Sequence, residues 1–179
     1  MTTIDYASAD YYYVNKSSLP KVYGGFNTSL SWKGFDLSAI FAYSIGGYIY
    51  NRDITMILHN GSLEGRAWST EILRRWTPDN RYTDVPALST TSNNWNSAST
   101  RFLQNNSYMR LKNLTLSYNL PKPWVSKLAL SSVQVYVQGD NLFTIHKNQG
   151  LDPEQGITGI TYYRYPAMRT ISGGINIAF

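Results

Sequence analysis

Hydrophobic and polar residues alternate with a period of two in five separate stretches of this chain. Val22, Gly24, Phe26, Thr28, Leu30 and Trp32 fall on one side, with Tyr23, Gly25, Asn27, Ser29 and Ser31 on the other. Phe35, Leu37, Ala39, Phe41, Tyr43 and Ile45 repeat the pattern against Asp36, Ser38, Ile40, Ala42 and Ser44. This period predicts strands over 22–32 and 35–45, and the Lys33-Gly34 pair between them predicts a hairpin. Further strands are expected at 107–119, where Leu114, Leu116 and Tyr118 oppose Asn113, Thr115 and Ser117, and at 131–143, where Val133, Val135 and Val137 oppose Gln134, Tyr136, Gln138 and Asp140. The last is 167–179, with Ile171, Gly173, Ile175, Ile177 and Phe179 set against Thr170, Ser172, Gly174, Asn176 and Ala178.

Such a strand rises about 3.3 Å per residue, so about ten tilted residues cross the apolar band of an outer membrane, roughly 25 Å tall. A half-buried strand of a soluble sandwich has the same alternation, and at this point both readings stand. The connections discriminate better. They run short at 33–34, long at 46–106, fairly short at 120–130 and long again at 144–166. Outer-membrane barrels alternate short periplasmic turns with long extracellular loops in this way. With the C-terminus periplasmic, both long loops fall outside the cell. Within the first of them Trp68, Ile72 and Trp76 recur at helical spacing, which predicts a short helix over Glu64–Trp76, stopped by Thr77-Pro78-Asp79-Asn80. The apolar parities carry no charge near their centres. Arg110, Lys112 and Arg169 share those parities at the extracellular ends and are candidate contacts for lipopolysaccharide phosphates. Five strands are too few to close a barrel, for which about eight is the minimum, so the chain is expected to be the C-terminal end of a longer protein.

Composition adds to this reading. The chain has 15 Tyr and 5 Trp but only 15% charged residues, a mixture that suits strands and membrane–water interfaces. No apolar run approaches the roughly 18 residues of a spanning helix. The net charge is +5, but the 16 Lys and Arg are scattered and form no basic block, so a nucleic-acid partner is not expected. Cysteine is absent, which removes disulfides and thiol chemistry. The residues after Met1, TTIDYASAD, have neither a basic start nor an apolar core, so no signal peptide is expected there.

Several ordered blocks resemble a known family. Asn106-Ser107-Tyr108-Met109-Arg110-Leu111-Lys112-Asn113-Leu114-Thr115-Leu116-Ser117-Tyr118-Asn119-Leu120-Pro121 is similar to the C-terminal signature of the SusC/RagA-type TonB-linked outer-membrane proteins of Bacteroidetes. So are Val135-Tyr136-Val137-Gln138-Gly139-Asp140-Asn141-Leu142-Phe143-Thr144, Gly150-Leu151-Asp152-Pro153-Glu154, and Tyr165-Pro166 ahead of a strand ending in Phe179. Upstream, Leu19-Pro20-Lys21 with Gly24-Gly25, Trp32-Lys33-Gly34-Phe35-Asp36-Leu37 and Arg75-Trp76-Thr77-Pro78-Asp79-Asn80 fit the same pattern. The resemblance implies an all-β fold: about five C-terminal antiparallel strands of a transmembrane barrel of about 22 strands. It also implies a plug, a signal peptide and a TonB-contacting segment outside this sequence. The implied function is import of oligosaccharides or peptides with a SusD-like surface lipoprotein over the mouth and TonB supplying energy. Phe179 resembles the terminal aromatic read by barrel-assembly machinery.

Candidate chemistry is sparse. His59 and His146 lie in different loops without metal-ligand spacing, so no metal, cofactor or catalytic residue is assigned. Asp152 and Glu154 flank Pro153 without a run of oxygen ligands, and a turn held by Asp152 is the expectation there. Binding is better supported, because sugar rings stack on indole and phenol planes while amides bond hydroxyls. Trp95 between Asn94 and Asn96 is the first candidate cluster, and Tyr162-Tyr163-Arg164 the second. Gln134, Gln138 and Asp140 are candidates for lining a lumen. The alternatives are a passive porin-like barrel and a soluble aromatic-rich carbohydrate-binding module.

Overall fold

The computed structural model describes residues 5–61, 63–91, 94–150, 152–154, 158–161 and 163–179. The chain divides into two compact units. One consists of Pro20–Gly47, Asn106–Glu154 and Tyr165–Phe179, and is a five-stranded antiparallel sheet. Its strands are β1 (Val22–Trp32), β2 (Phe35–Ile45), β5 (Tyr108–Asn119), β6 (Ser132–His146) and β7 (Thr170–Ala178), in spatial order β1-β2-β5-β6-β7. The first two meet through a two-residue turn with Lys33 at φ 48° and Gly34 at φ 88°. Positive φ at both positions is the hairpin geometry that matches strand twist. Pro121 and Pro123 end β5 and lead into α2 (Lys122–Val125).

One face of this sheet is apolar throughout. The register sets Phe26 against Phe41, Leu30 against Leu37, Leu116 against Val137 and Val135 against Ile175. The Phe26 and Phe41 rings stack at 4.7 Å between centroids. No dry interior closes over that face, since Ile175 is 62% exposed, Val135 43% and Leu116 42%. A soluble sandwich buries these positions. The opposite face carries a hydrogen-bonded polar ladder. Asn113 donates to Asp140 at 2.7 Å, Gln134 to Ser117 at 3.3 Å and Asn176 to Gln134 at 3.1 Å.

Strict alternation fails at one place in β5. Ile40 faces Asn113 and Phe41 faces Leu111, so Lys112 is an extra residue with no Cα partner on β2. A bulge of this kind exchanges the faces of the residues beyond it. Leu111 thereby joins Phe41 and Phe143 on the apolar face, and Arg110 turns to the polar one. The β5–β6 ladder adjusts at the same level, where Asn141 adopts φ 52°.

The other unit gathers Met1–Leu19, Tyr48–Asn105 and Gln155–Arg164. It is built on a two-stranded ribbon, β3 (Tyr48–Tyr50) with β4 (Leu103–Asn105). Tyr48 N–H donates to Ser17 C=O at 2.8 Å, Tyr50 N–H to Gly159 C=O at 2.7 Å, and Thr161 N–H to Tyr50 C=O at 3.1 Å. Ile49, Leu58, Ile72, Val85 and Phe102 form a small buried core. Helix α1 (Arg52–Ile57) is capped by the Asn51 side chain, which accepts from Ile54 N–H at 3.1 Å.

The helix expected over Glu64–Trp76 is not formed, and only Thr70–Arg74 makes a 3-10 turn. Gly65 at φ +71° precedes it, while the Asn80 and Thr83 side chains bond the Arg74 carbonyl and end it. Trp68 instead donates its indole N–H to His59 Nδ1 at 3.0 Å. Among the described residues no helix is long and apolar enough to cross a membrane, which says nothing of strands.

The two faces of the sheet make a testable contrast. With hydrocarbon against the apolar face, Ile175→Arg in the full-length protein costs about 2–4 kcal/mol, whereas Ser172→Arg on the opposite face costs little. Urea unfolding in lipid vesicles measures both, and equal costs would contradict the one-sided reading.

Candidate functional site

The most ordered polar cluster sits on the polar face where β5 is bulged. Arg110 donates from Nη2 to Asp152, from Nη1 to Glu154 at 2.9 Å and from Nε to Thr144 Oγ1 at 2.9 Å. Lys112 Nζ reaches both oxygens of Glu154 at 2.6 Å. The Arg110 and Asp152 side chains are 3% and 6% exposed. Asp152 also accepts the backbone N–H of Glu154 at 2.9 Å and of Ala167 at 2.6 Å, forming the turn expected there. Ala167 thus bonds a loop carboxylate, and β7 begins at Thr170. Asn106 donates to the buried Pro153 carbonyl at 2.9 Å. Burial opposes the charge of Asp152, but the N–H groups of Ala167 and Glu154 and the Arg110 guanidinium outweigh it and hold the carboxyl below the usual range.

Arg110 and Lys112 were expected at an outer rim facing lipid phosphates. The bulge corrects this, because their cationic groups meet Asp152 and Glu154 on the polar face. Arg169 is exposed just ahead of β7 and keeps its place as a candidate. What the alternation missed was legible in another form: two cations two residues apart, and two carboxylates two residues apart some forty positions later.

The candidate contact residues are dispersed. Asn94, Trp95 and Asn96 form a 3-10 turn. The Arg101 guanidinium lies over the Trp95 ring at 4.0 Å and donates to the Asp84 carbonyl at 2.6 Å. Burial lowers the affinity of Arg101 for its proton. Among the described residues, Trp95 Nε1 and both amide atoms of Asn96 are buried without hydrogen-bond partners. Tyr162 lies outside the described residues; Tyr163 N–H donates to Asp53 at 3.1 Å, and Arg164 is exposed. Gln134, Gln138 and Asp140 all lie on the polar face, and Gln138 donates to Asp140 at 3.3 Å. Phe179 is exposed, next to an Ala178 carbonyl that accepts from Ser131 N–H. His59 is buried against Trp68 and His146 Nδ1 lies 3.0 Å from the Asn148 carbonyl, and among the described residues no three His, Cys, Asp or Glu side chains converge.

No family model matches the chain. It is, however, 37% identical over 167 residues to TonB-dependent receptor P3 of Formosa agariphila, covering 87% of this chain and 16% of that protein. The chain is homologous to TonB-dependent receptors of the SusC/RagA type. It is also 27% identical over 171 residues to TonB-dependent receptor SusC of Bacteroides thetaiotaomicron, with 93% of this chain and 16% of SusC aligned. Among solved structures, the RagAB peptide importer in its closed-closed state superposes with a TM-score of 0.78 at 35% identity, covering 93% of this chain and 18% of that one. The open-open state gives 0.79. The chain thus spans 16–17% of the length of the curated relatives it matches. Its sheet matches a C-terminal piece of a TonB-dependent barrel. Receptors of this type are transporters of the outer membrane.

The ionic anchor has a definite pH dependence. Because the native pKa of Asp152 is depressed, its stabilising contribution is complete above the unfolded value of about 3.9 and is lost as pH falls through the lower native value. In the full-length receptor, Asp152→Asn should speed hydrogen exchange at the Glu154 and Ala167 amides at neutral pH and leave the β5–β6 amides protected. In the wild type, the loop should become open to pepsin only below about pH 4.

Proposed function

We propose that this chain is the part of a TonB-dependent outer-membrane importer that supplies wall strands and two long extracellular loops. The observation that carries the reading is a one-sided apolar sheet with alternating short and long connections, in a chain 35% identical to an importer over 93% of its length. Import is of glycans, with peptides as the second substrate class, the one that RagAB is named for. A SusD-like surface lipoprotein is the partner at the mouth, and TonB supplies the energy. The chain contributes no covalent chemistry of its own.

Within this reading Gln134, Gln138 and Asp140 line the substrate route, and Phe179 serves barrel assembly. Arg169 meets lipopolysaccharide. Trp95, between Asn94 and Asn96 in the chain, offers a sugar ring the indole face that Arg101 does not cover. Tyr162, Tyr163 and Arg164 supply a second contact from the other loop.

Energy coupling separates this reading from a passive porin. Uptake by cells expressing the full-length receptor should cease when an uncoupler collapses the proton gradient, and persistence would favour a passive channel. Trp95→Ala should raise the KM for the transported glycan about tenfold, the loss of one stacking contact. An unchanged KM removes Trp95 from the contact set.

A further inference from the structure

The unit built on the β3–β4 ribbon contains a cleft of about 570 Å³, within the size range of small-ligand sites. Tyr50 and Leu103 of the ribbon line it together with Tyr6, Tyr11 and Tyr12 from the N-terminal segment and the backbone stretch 98–100. One of the four phenols is tethered to that stretch: Tyr6 donates its hydroxyl to the Ala98 carbonyl at 2.7 Å. Rings already fixed lose little further freedom when a ligand packs on them.

Charge narrows the ligand. The chain holds 16 Lys and Arg, yet none lines the cleft among the described residues; its charged side chain is Asp10. That carboxylate is exposed and receives only a long 3.4 Å bond from Tyr12, so it retains acceptor capacity for hydroxyl groups. A uronate or sulfate group would meet this carboxylate with no Lys or Arg among the described lining residues to pair with it. An extended peptide gains most of its affinity by pairing with an open strand edge. The outer edge of β3 is already occupied, since Tyr48 and Tyr50 donate to Ser17 and Gly159 and Tyr50 accepts from Thr161.

We infer that this cleft is a subsite for an uncharged sugar ring, stacked on the phenols and bonded through its hydroxyls to Asp10, and that it rejects anionic saccharides. The assignment rests on the importer reading and deepens it by fixing the substrate's charge class. It departs from the Trp95 cluster singled out by sequence.

Calorimetry on the purified full-length receptor tests it with four probes: xylohexaose, mannohexaose, hexagalacturonate and a neutral hexapeptide. A neutral hexasaccharide should bind the wild type, and hexagalacturonate should not. Tyr11→Ala and Tyr12→Ala, both at well-exposed positions, should each weaken the neutral sugar about tenfold, and Asp10→Asn should weaken it several-fold. Unchanged affinity in all three variants overturns the assignment, as does equal binding of hexagalacturonate, failure of both neutral sugars to bind, or binding of the peptide alone. Uptake measured in parallel separates the two levels. Energised import of the sugar with unaltered Tyr11→Ala and Tyr12→Ala variants removes the cleft and leaves the importer, whereas a wild type that imports no probe removes both.

Discussion

The two-residue repeat of the β-strand is the constraint on which this structure depends. Successive side chains point to opposite faces, so a sheet with hydrocarbon on one side and a wet interior on the other must keep its register over every strand. In this chain the apolar set runs from Phe26 and Leu30 through Leu116 and Val135 to Ile175 without a charge, while Asn113, Gln134, Gln138 and Asp140 collect behind it. The backbone follows from the same demand, since polar groups without water nearby must be paired by neighbouring strands.

That constraint gives the bulge at Lys112 its importance. A regular strand would place Arg110 on the apolar face, where a cation is costly. One extra residue turns it to the polar face, and there it finds Asp152, Glu154 and Thr144. The buried Arg110–Asp152 pair is specific because neither partner is acceptable there alone. The same carboxylate accepts the Glu154 and Ala167 amides, so a single side chain shapes the loop turn ahead of β7.

The unit outside the sheet works on a different principle. Its core is small, and three segments far apart in sequence meet on a three-residue strand through backbone hydrogen bonds and buried polar side chains such as Asn51 and Thr161. Loops held this way present Tyr and Trp rings from a fixed frame. Trp95, the best candidate by local composition, is partly occupied by Arg101, whereas Tyr6, Tyr11, Tyr12 and Tyr50 share one cleft.

How much was legible in sequence follows from the range of each interaction. Hairpin β1–β2, the remaining strands of the sheet and the resemblance to SusC/RagA proteins could be read directly, because period-two patterning and turn residues are local signals. The helix over Glu64–Trp76 was misread because a few aromatic positions imitate a period, and Gly65, Asn80 and His59 decide otherwise. Helix α1 went unseen because six residues carry too little pattern. The face of Arg110 and the partners of Asp152 depend on one bulged residue paired across strands, and the tyrosine cleft depends on positions more than ninety residues apart. Sequence determined which residues alternate and hence which kind of sheet forms; only the tertiary structure decided where alternation slips and which distant side chains meet, because both are settled between strands and loops and not along them.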